Sequence, residues 1–280
     1  MVIVAIVNPS VTKDILHTHN IYLTKRLGQH FLVDGNILEK IIEAADLSKE
    51  DAVVEIGPGI GTLTEALAAA AGRVVAIEYD RRFPGILKET LRCAENVKII
   101  ETDAMVVDFQ ALGANKMTAN LPYNIGTALV ARVLESAPAI KEITVMLQKE
   151  VAERITAEPC TKEYGALTIL VYGYADAKVV TQVKRKSFLP PPEIDSTVIK
   201  LTRLSEPRFG RDTHGFAVFA KRLFNNRRKA LRGALKAAGF TAKSISMAEN
   251  DSDIDFGARA EALKPEQLYQ LYRALTFSIS

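Results

Sequence analysis

The chain has 280 residues, of which 48% are hydrophobic and 25% charged; these are ordinary globular proportions, and they exclude the disordered, collagen-like and disulfide-scaffold classes. Thirty-six Lys and Arg against 33 Asp and Glu leave a net charge of +3, so a nucleic-acid partner has to be sought in local clusters of charge. The two cysteines, Cys93 and Cys160, have neither pairing density nor metal spacing, which points to a reducing, cytoplasmic setting; the longest clean apolar run, Met1 to Val7, is too short to span a bilayer.

Residues 1–21 are expected to be a flexible N-terminal extension. It has no basic region and no small-residue cleavage site, so it does not read as a signal peptide. His17 and His19 lie there without a third well-spaced ligand, so no metal is expected. Ile37, Leu38, Ile41 and Ile42 recur at helical spacing and predict a helix over 34–45. Residues 52–56 read as a strand, 57–61 as a glycine loop, 62–71 as a helix and 73–77 as the next strand. A helix over 84–94, a strand over 97–100, a strand over 117–119, a helix over 127–134 and a strand over 143–147 follow. This alternation predicts βαβ units and a parallel sheet. Strand-like runs at 167–174, 177–183 and 197–201, with Pro190, Pro191 and Pro192 between the last two, suggest an antiparallel edge. Ser205-Glu206-Pro207 reads as a linker, and 214–238, 241–250 and 265–275 as helices. The expected architecture is an α/β, Rossmann-like domain over 1–204 and a small all-helical domain over 205–280.

Four strand ends carry chemistry. Gly57-Pro58-Gly59-Ile60-Gly61 follows a strand and opens a helix, where glycines allow a tight turn and close backbone approach to a ligand. Thr62 stands where a dinucleotide-binding loop needs glycine, which favours a nucleoside without phosphates. Glu78 ends the next strand, where a carboxylate can accept both ribose hydroxyls. Asp103 ends the third strand and can accept from an adenine amino group or cap a helix. At the end of the fourth strand, Asn120-Leu121-Pro122-Tyr123 combines a side-chain amide, a stiffened carbonyl at Leu121 or Pro122, and a ring face. Two acceptors and a ring suit an exocyclic amine on a flat heterocycle. They would favour a pyramidal nitrogen and localise its lone pair.

Together with Leu27 to Leu32, Gln148 to Arg154, Ser187 to Ser196, Phe224 to Leu231 and Arg259 to Leu263, these segments resemble the class I S-adenosylmethionine-dependent methyltransferases. More narrowly, they are similar to the ribosomal RNA adenine N6,N6-dimethyltransferase family from about residue 22 to near the C-terminus. The resemblance implies an enzyme with S-adenosyl-L-methionine as cofactor. It implies cofactor contacts from Gln29, His30 and Leu32, from the Gly57, Gly59 and Gly61 loop, and from Glu78, Asp103 and Asn120. Many members carry Asn where this chain has His30. Catalytic roles fall on Asn120, Leu121, Pro122 and Tyr123, with Phe188 stacking on the flipped adenine opposite Tyr123. The implied substrate is a pair of adjacent adenosines in the 3′-terminal hairpin of small-subunit rRNA, met during ribosome maturation. A monomer is expected.

Lys221, Arg222, Arg227, Arg228, Lys229, Arg232 and Lys236 crowd one stretch without an acid. On a continuous helix, Lys221, Arg228 and Arg232 would share a phosphate-contacting face, with Leu223, Phe224, Leu231 and Leu235 packed inward. Lys184, Arg185 and Lys186 add charge before Phe188, as do Lys25 and Arg26 on the N-terminal side. Three other readings stay open: a large-subunit rRNA methyltransferase of the macrolide-resistance type, a DNA adenine methyltransferase, and an rRNA-binding assembly factor with secondary methylation.

Overall fold

The structure is a computed structural model describing residues 6–21 and 29–277. Lys25, Arg26, Leu27 and Gly28, named above, lie outside the described residues. The chain divides into two compact units. The first runs to Ala152 and takes in Ala177–Arg203; the second is Glu153–Asp176 with everything from Leu204 onward.

In the first unit, α1 (Pro9–Thr18) precedes β1 (Phe31–Leu32) and α2 (Gly35–Ala45). Then β2 (Ala52–Ile56), α3 (Thr62–Ala70), β3 (Arg73–Glu78), α4 (Phe83–Thr90) and β4 (Val97–Glu101) alternate, followed by β5 (Lys116–Asn120), α5 (Gly126–Ser136) and β6 (Glu142–Gln148). α6 (Lys149–Ile155) leads into α7 (Ala166–Tyr174); β7 (Ala175–Val183), β8 (Phe188–Leu189) and β9 (Ser196–Arg203) close the sheets. The main sheet has seven strands in the order β4-β3-β2-β5-β6-β9-β7. β2 to β6 pair in parallel and β9 runs antiparallel to β6. The order reverses at β2, between β3 and β5, which is the switch point where open α/β sheets bind ligands. Val53, Val54, Val74, Met117, Ile143 and Val145 are fully buried, as strands covered on both faces require.

The N-terminal stretch departs from the expected flexible extension. Asn8 caps α1 by accepting from the Ser10 amide at 2.8 Å, and Pro9 occupies the first turn. Leu16 and Ile6 are buried with Phe31, Ile60, Phe83 and Leu87. His19 caps α1, with Nε2 3.3 Å from Glu89.

The second unit contains α7, α8 (Thr213–Phe224), α9 (Leu231–Ala237), α10 (Ala242–Asn250) and α11 (Pro265–Phe277). Its boundary differs from the expected one at 204/205, because Tyr164 and Ile169 are buried among Phe216, Leu223, Leu235 and Leu271. The 167–174 run, expected as a strand, is helix α7, whose apolar residues are buried on several sides; a run hydrophobic all round has no face to distinguish helix from strand. The expected single helix over 214–238 is two helices. The Leu231 and Arg232 amides donate to the Ala258 and Phe256 carbonyls, so α9 starts afresh after a turn over 225–230.

Candidate active site

The C-terminal ends of β2, β3, β4 and β5 open onto a cavity of about 330 Å³, within the size range of small-ligand sites. Gln29, His30, Leu32, Gly57, Gly59, Glu78, Asp103, Asn120, Leu121, Pro122 and Tyr123 all line it. Glycine is required at two points of the loop after β2. Gly57 has φ +70°, and Gly59 has φ +59° with a hypothetical Cβ only 2.7 Å from Phe31 Cε1. Gly61 is not a lining residue; it is the N-cap of α3, packed against Thr90 and Leu91.

Glu78 is held rigidly: one carboxylate oxygen accepts from the Gly59 amide at 3.1 Å and the other from the Asp80 amide at 2.8 Å. Burial raises its pKa above the usual carboxylate range, against the pull of these amides. Asp80 is held below that range, chiefly by hydrogen bonds from Arg82. The Gln29 side-chain amide donates to Asp80 at 2.7 Å, which fixes Gln29 at the cavity wall. Asp103 accepts from the Met105 amide at 2.8 Å in a turn, with no helix following, so it does not cap a helix.

The segment after β5 is the most constrained part. Asn120 Nδ2 donates to the His30 carbonyl at 3.1 Å, which leaves Oδ1 as the acceptor. The Pro122 carbonyl accepts from the Ile125 and Gly126 amides at 3.2 and 3.0 Å and so anchors the start of α5. Of the two carbonyls left open by the sequence, the one at Leu121 is therefore the acceptor this turn can offer. The Tyr123 hydroxyl bonds Ser196 Oγ at 2.6 Å, and its ring stacks on the His30 imidazole at 5.4 Å and 29°. Burial pushes the Tyr123 phenol up, so it stays neutral. His30 Nδ1–H donates to the Pro190 carbonyl at 2.8 Å.

Phe188 is not brought to this group. It is 2% exposed, paired with Leu32 across the β1–β8 ribbon and buried among Leu38, Val183 and Val198. The loop it sits in is tied down by Ser187 Oγ donating to Asp34 at 2.8 Å. Its expected stacking role gives way to that of a hydrophobic anchor. Glu55, which the sequence reasoning left out of the site, does line the cavity and is 1% exposed. The available signal was a lone carboxylate in the apolar strand Ala52 to Ile56.

The basic residues are on the surface, but not on one helix face. Lys221 and Arg222 end α8, Arg228 and Lys229 lie in the turn, and Arg232 and Lys236 lie on α9; all are exposed. Arg227 is half-buried and pairs with Glu261 at 2.9 Å; Arg232 pairs with Glu249. Lys184, Arg185 and Lys186 are exposed, and Lys184 pairs with Asp195 at 2.9 Å.

Comparison with known proteins decides what this arrangement belongs to. Residues 20–276 match the family described as ribosomal RNA adenine dimethylase. The chain belongs to the ribosomal RNA adenine dimethylase family. Among relatives, the ribosomal RNA small subunit methyltransferase A of Clostridium botulinum (strain Langeland) is 44% identical over 265 residues, covering 93% of this chain and 96% of that protein. The protein of the same name from Shouchella clausii is 43% identical over 282 residues, covering 96% and 95%. Among solved structures, a dimethyladenosine transferase from Plasmodium falciparum superposes with TM-score 0.71 at 27% identity, covering 86% of this chain and 96% of the other. The 23S rRNA methyltransferase ErmE gives 0.67 at 27% identity, covering 88% and 99%. This dimethylase is thus a methyltransferase enzyme with a mostly parallel sheet and an antiparallel edge strand. No helix among its described residues is long and apolar enough to cross a membrane.

Proposed function

We propose that the protein transfers methyl groups from S-adenosylmethionine to N6 of two adjacent adenosines in the 3′-terminal hairpin of small-subunit rRNA. The observation that carries this is the convergence of Asn120, Leu121 and Tyr123 with Glu78 and the Gly57–Gly59 backbone on one cavity. Among the described residues, four with carboxyl groups line it, Glu55, Glu78, Asp80 and Asp103, and no Lys or Arg does. That charge balance fits a cationic nucleoside and disfavours phosphates. When bound, the sulfonium donor supplies an already electrophilic methyl group. Glu78, fixed by two backbone amides, would hold the ribose hydroxyls, and Asp103 the adenine amine. Gly57 and Gly59 allow the methionine end to lie against bare backbone.

Asn120 Oδ1 and the Leu121 carbonyl would accept from the target amine, and Tyr123 would stack on its base. Both acceptors are fixed before substrate arrives, so the protein's main contribution is alignment of the nitrogen with the methyl carbon. No strong base is needed, because the nitrogen loses its proton after it has become cationic. The exposed cations Lys221, Arg222, Arg228, Lys229 and Lys236 of the helical unit, with Arg185 and Lys186 of the first, would contact phosphates. The enzyme is read as a cytoplasmic monomer. The small-subunit reading is favoured over the large-subunit one because the relatives at 43–44% identity carry the small-subunit name, whereas ErmE stands at 27%. Incubation with labelled donor and unmethylated small subunits, large subunits or DNA tests this. Label is expected on the small subunit; label on large subunits or DNA alone would contradict the proposal.

A further inference from the structure

Glu55 is the buried titratable group for which the mechanism above has no use. It sits in the middle of the sheet on β2, in register with Ala76 of β3 and 1% exposed. Its Oε2 is buried without any hydrogen-bond partner, yet the residue forms part of the cavity wall. An ionised carboxylate without a partner in such a place is costly.

Only the Thr64 hydroxyl of α3 favours its charged form, and the carboxylates that share the cavity oppose it. The end of β3 brings the Glu78 carboxylate, which repels it, and the turns after β3 and β4 bring Asp80 and Asp103 to the same cavity. His30 enters from the segment before β1 and Tyr123 from the turn after β5, while α3 contributes only the hydroxyls of Thr62 and Thr64. Among the described residues, no lysine or arginine lines the cavity. Burial outweighs the hydrogen bond offered by Thr64 and, with the Glu78 charge adding to it, lifts the Glu55 carboxyl to about 8, so it holds its proton at neutral pH.

The donor assigned to this cavity carries a sulfonium and an α-ammonium charge against one α-carboxylate, a net single positive charge that resides on the sulfonium. A positive charge within a few ångströms lowers a carboxyl pKa by about 1–3 units. From about 8, a lowering of about 2–3 units leaves Glu55 mostly ionised at neutral pH, and one of about 1 unit leaves it half ionised. We propose that Glu55 is a proton-releasing counter-charge for the donor: its carboxyl is neutral in the free protein and ionises when the donor binds. The O–H bond of the carboxyl breaks, the proton passes to solvent, and the carboxylate remains to balance the bound cation; nothing is oxidised or reduced.

One consequence separates donor from product. Methyl transfer converts the sulfonium to a neutral thioether and leaves the ammonium in place. The carboxylate then loses part of its reason to stay ionised, and reprotonation accompanies product release. The α-ammonium is common to both ligands, so the ratio of product Kd to donor Kd isolates the sulfonium contribution. That ratio rises as pH is raised from about 6 to about 9, where Glu55 becomes ionised in the free protein as well.

The inference rests on the reading of this cavity as the donor site, and calorimetry of the full chain with S-adenosylmethionine separates the two. In buffers of different ionisation enthalpy, wild type is expected to release roughly half a proton to nearly one per donor at about pH 7, with the release fading above about pH 9. Glu55→Gln should bind donor with no release. His30→Asn, which removes the histidine among the described lining residues, should keep the release. Donor binding with heats independent of buffer overturns the inference and leaves the proposed function standing. Release that survives in Glu55→Gln, or vanishes in His30→Asn, overturns it too. If Glu55→Gln does not fold, the wild-type profile decides: release that persists undiminished above about pH 9 overturns the inference. No heat of donor binding in any buffer overturns the site reading and this inference with it.

Discussion

The side-chain amide of Asn120 donates to the backbone carbonyl of His30 at 3.1 Å, across 90 residues of chain. This one bond sets the orientation of the amide, so the oxygen rather than the nitrogen is free for an incoming amine. Asn120→Ala removes that acceptor. Loss of one preorganised polar group of this kind costs on the order of 10²–10³ in rate. We predict that loss in kcat, with thermal unfolding and RNA affinity close to wild type. Turnover near the wild-type rate would remove Asn120 from the chemistry.

Tyr123 separates ring from hydroxyl. Tyr123→Phe loses only the bond to Ser196, worth about 1 kcal/mol in stability, and should keep most of the activity. Tyr123→Ala loses the stacking face, worth about 1–3 kcal/mol per base, and should weaken both substrate binding and turnover. Equal defects in the two variants, measured side by side in steady-state kinetics, would show that the hydroxyl and not the ring matters.

Gly59→Ala puts a side chain at φ +59° and drives Cβ to 2.7 Å from Phe31 Cε1. The backbone conformation alone costs about 1–2 kcal/mol, and Phe31 must move as well. We predict a lower urea midpoint and weakened donor affinity by calorimetry. An unchanged midpoint would mean that the loop has room the structure does not show.

The Glu55 carboxyl also makes stability depend on pH. Its pKa is raised from the ordinary 4.5 to about 8 in the folded chain. Between those values the native state holds a proton that the unfolded chain has released. This contribution is fully present below the unfolded pKa and is lost as pH rises through about 8, with a slope of up to about 1.4 kcal/mol per pH unit. Glu65 and Glu78, also raised by burial, add slope of the same sign. Stability of the ligand-free protein should therefore fall from about pH 5 to pH 8, and Glu55→Gln should remove part of the fall. A stability profile that rises over this range would contradict the burial argument.

Much of this site was legible because its chemistry sits at strand ends. Periodicity located β2 to β6, and the residues at or just past their C-terminal ends, Gly57, Glu78, Asp103 and Asn120, had to converge once the sheet was parallel. Other features depend on tertiary surroundings that no local pattern carries. Phe188 in a proline-stiffened loop reads the same whether it faces a ligand or the core; burial among Leu38 and Val198 decides it. The break between α8 and α9 follows from carbonyls at Phe256 and Ala258, far along the chain. Helix α1 is different: Asn8 followed by Pro9 is a cap and first-turn signal that was present in the sequence and passed over.

The break also changes what the basic residues can do. The ion pairs Arg227–Glu261 and Arg232–Glu249 commit two of the seven cations. Lys221 and Arg228 are exposed and make no ion pair among the described residues. Replacing both with Ala should lower the slope of log K against log salt for RNA binding by roughly 1.4, at about 0.7 per phosphate. Replacing Arg227 should mainly destabilise the helical unit. An unchanged slope in the Lys221/Arg228 variant would leave that surface without a role in RNA contact.

The most direct measurement is a crystal structure of the protein with S-adenosylmethionine bound. The account predicts the ribose hydroxyls on the Glu78 carboxylate, the adenine amine at Asp103 and the methyl group directed toward Asn120 Oδ1. A donor seated away from the β2–β3–β5 strand ends, or turned so that its methyl faces away from Asn120, would contradict it.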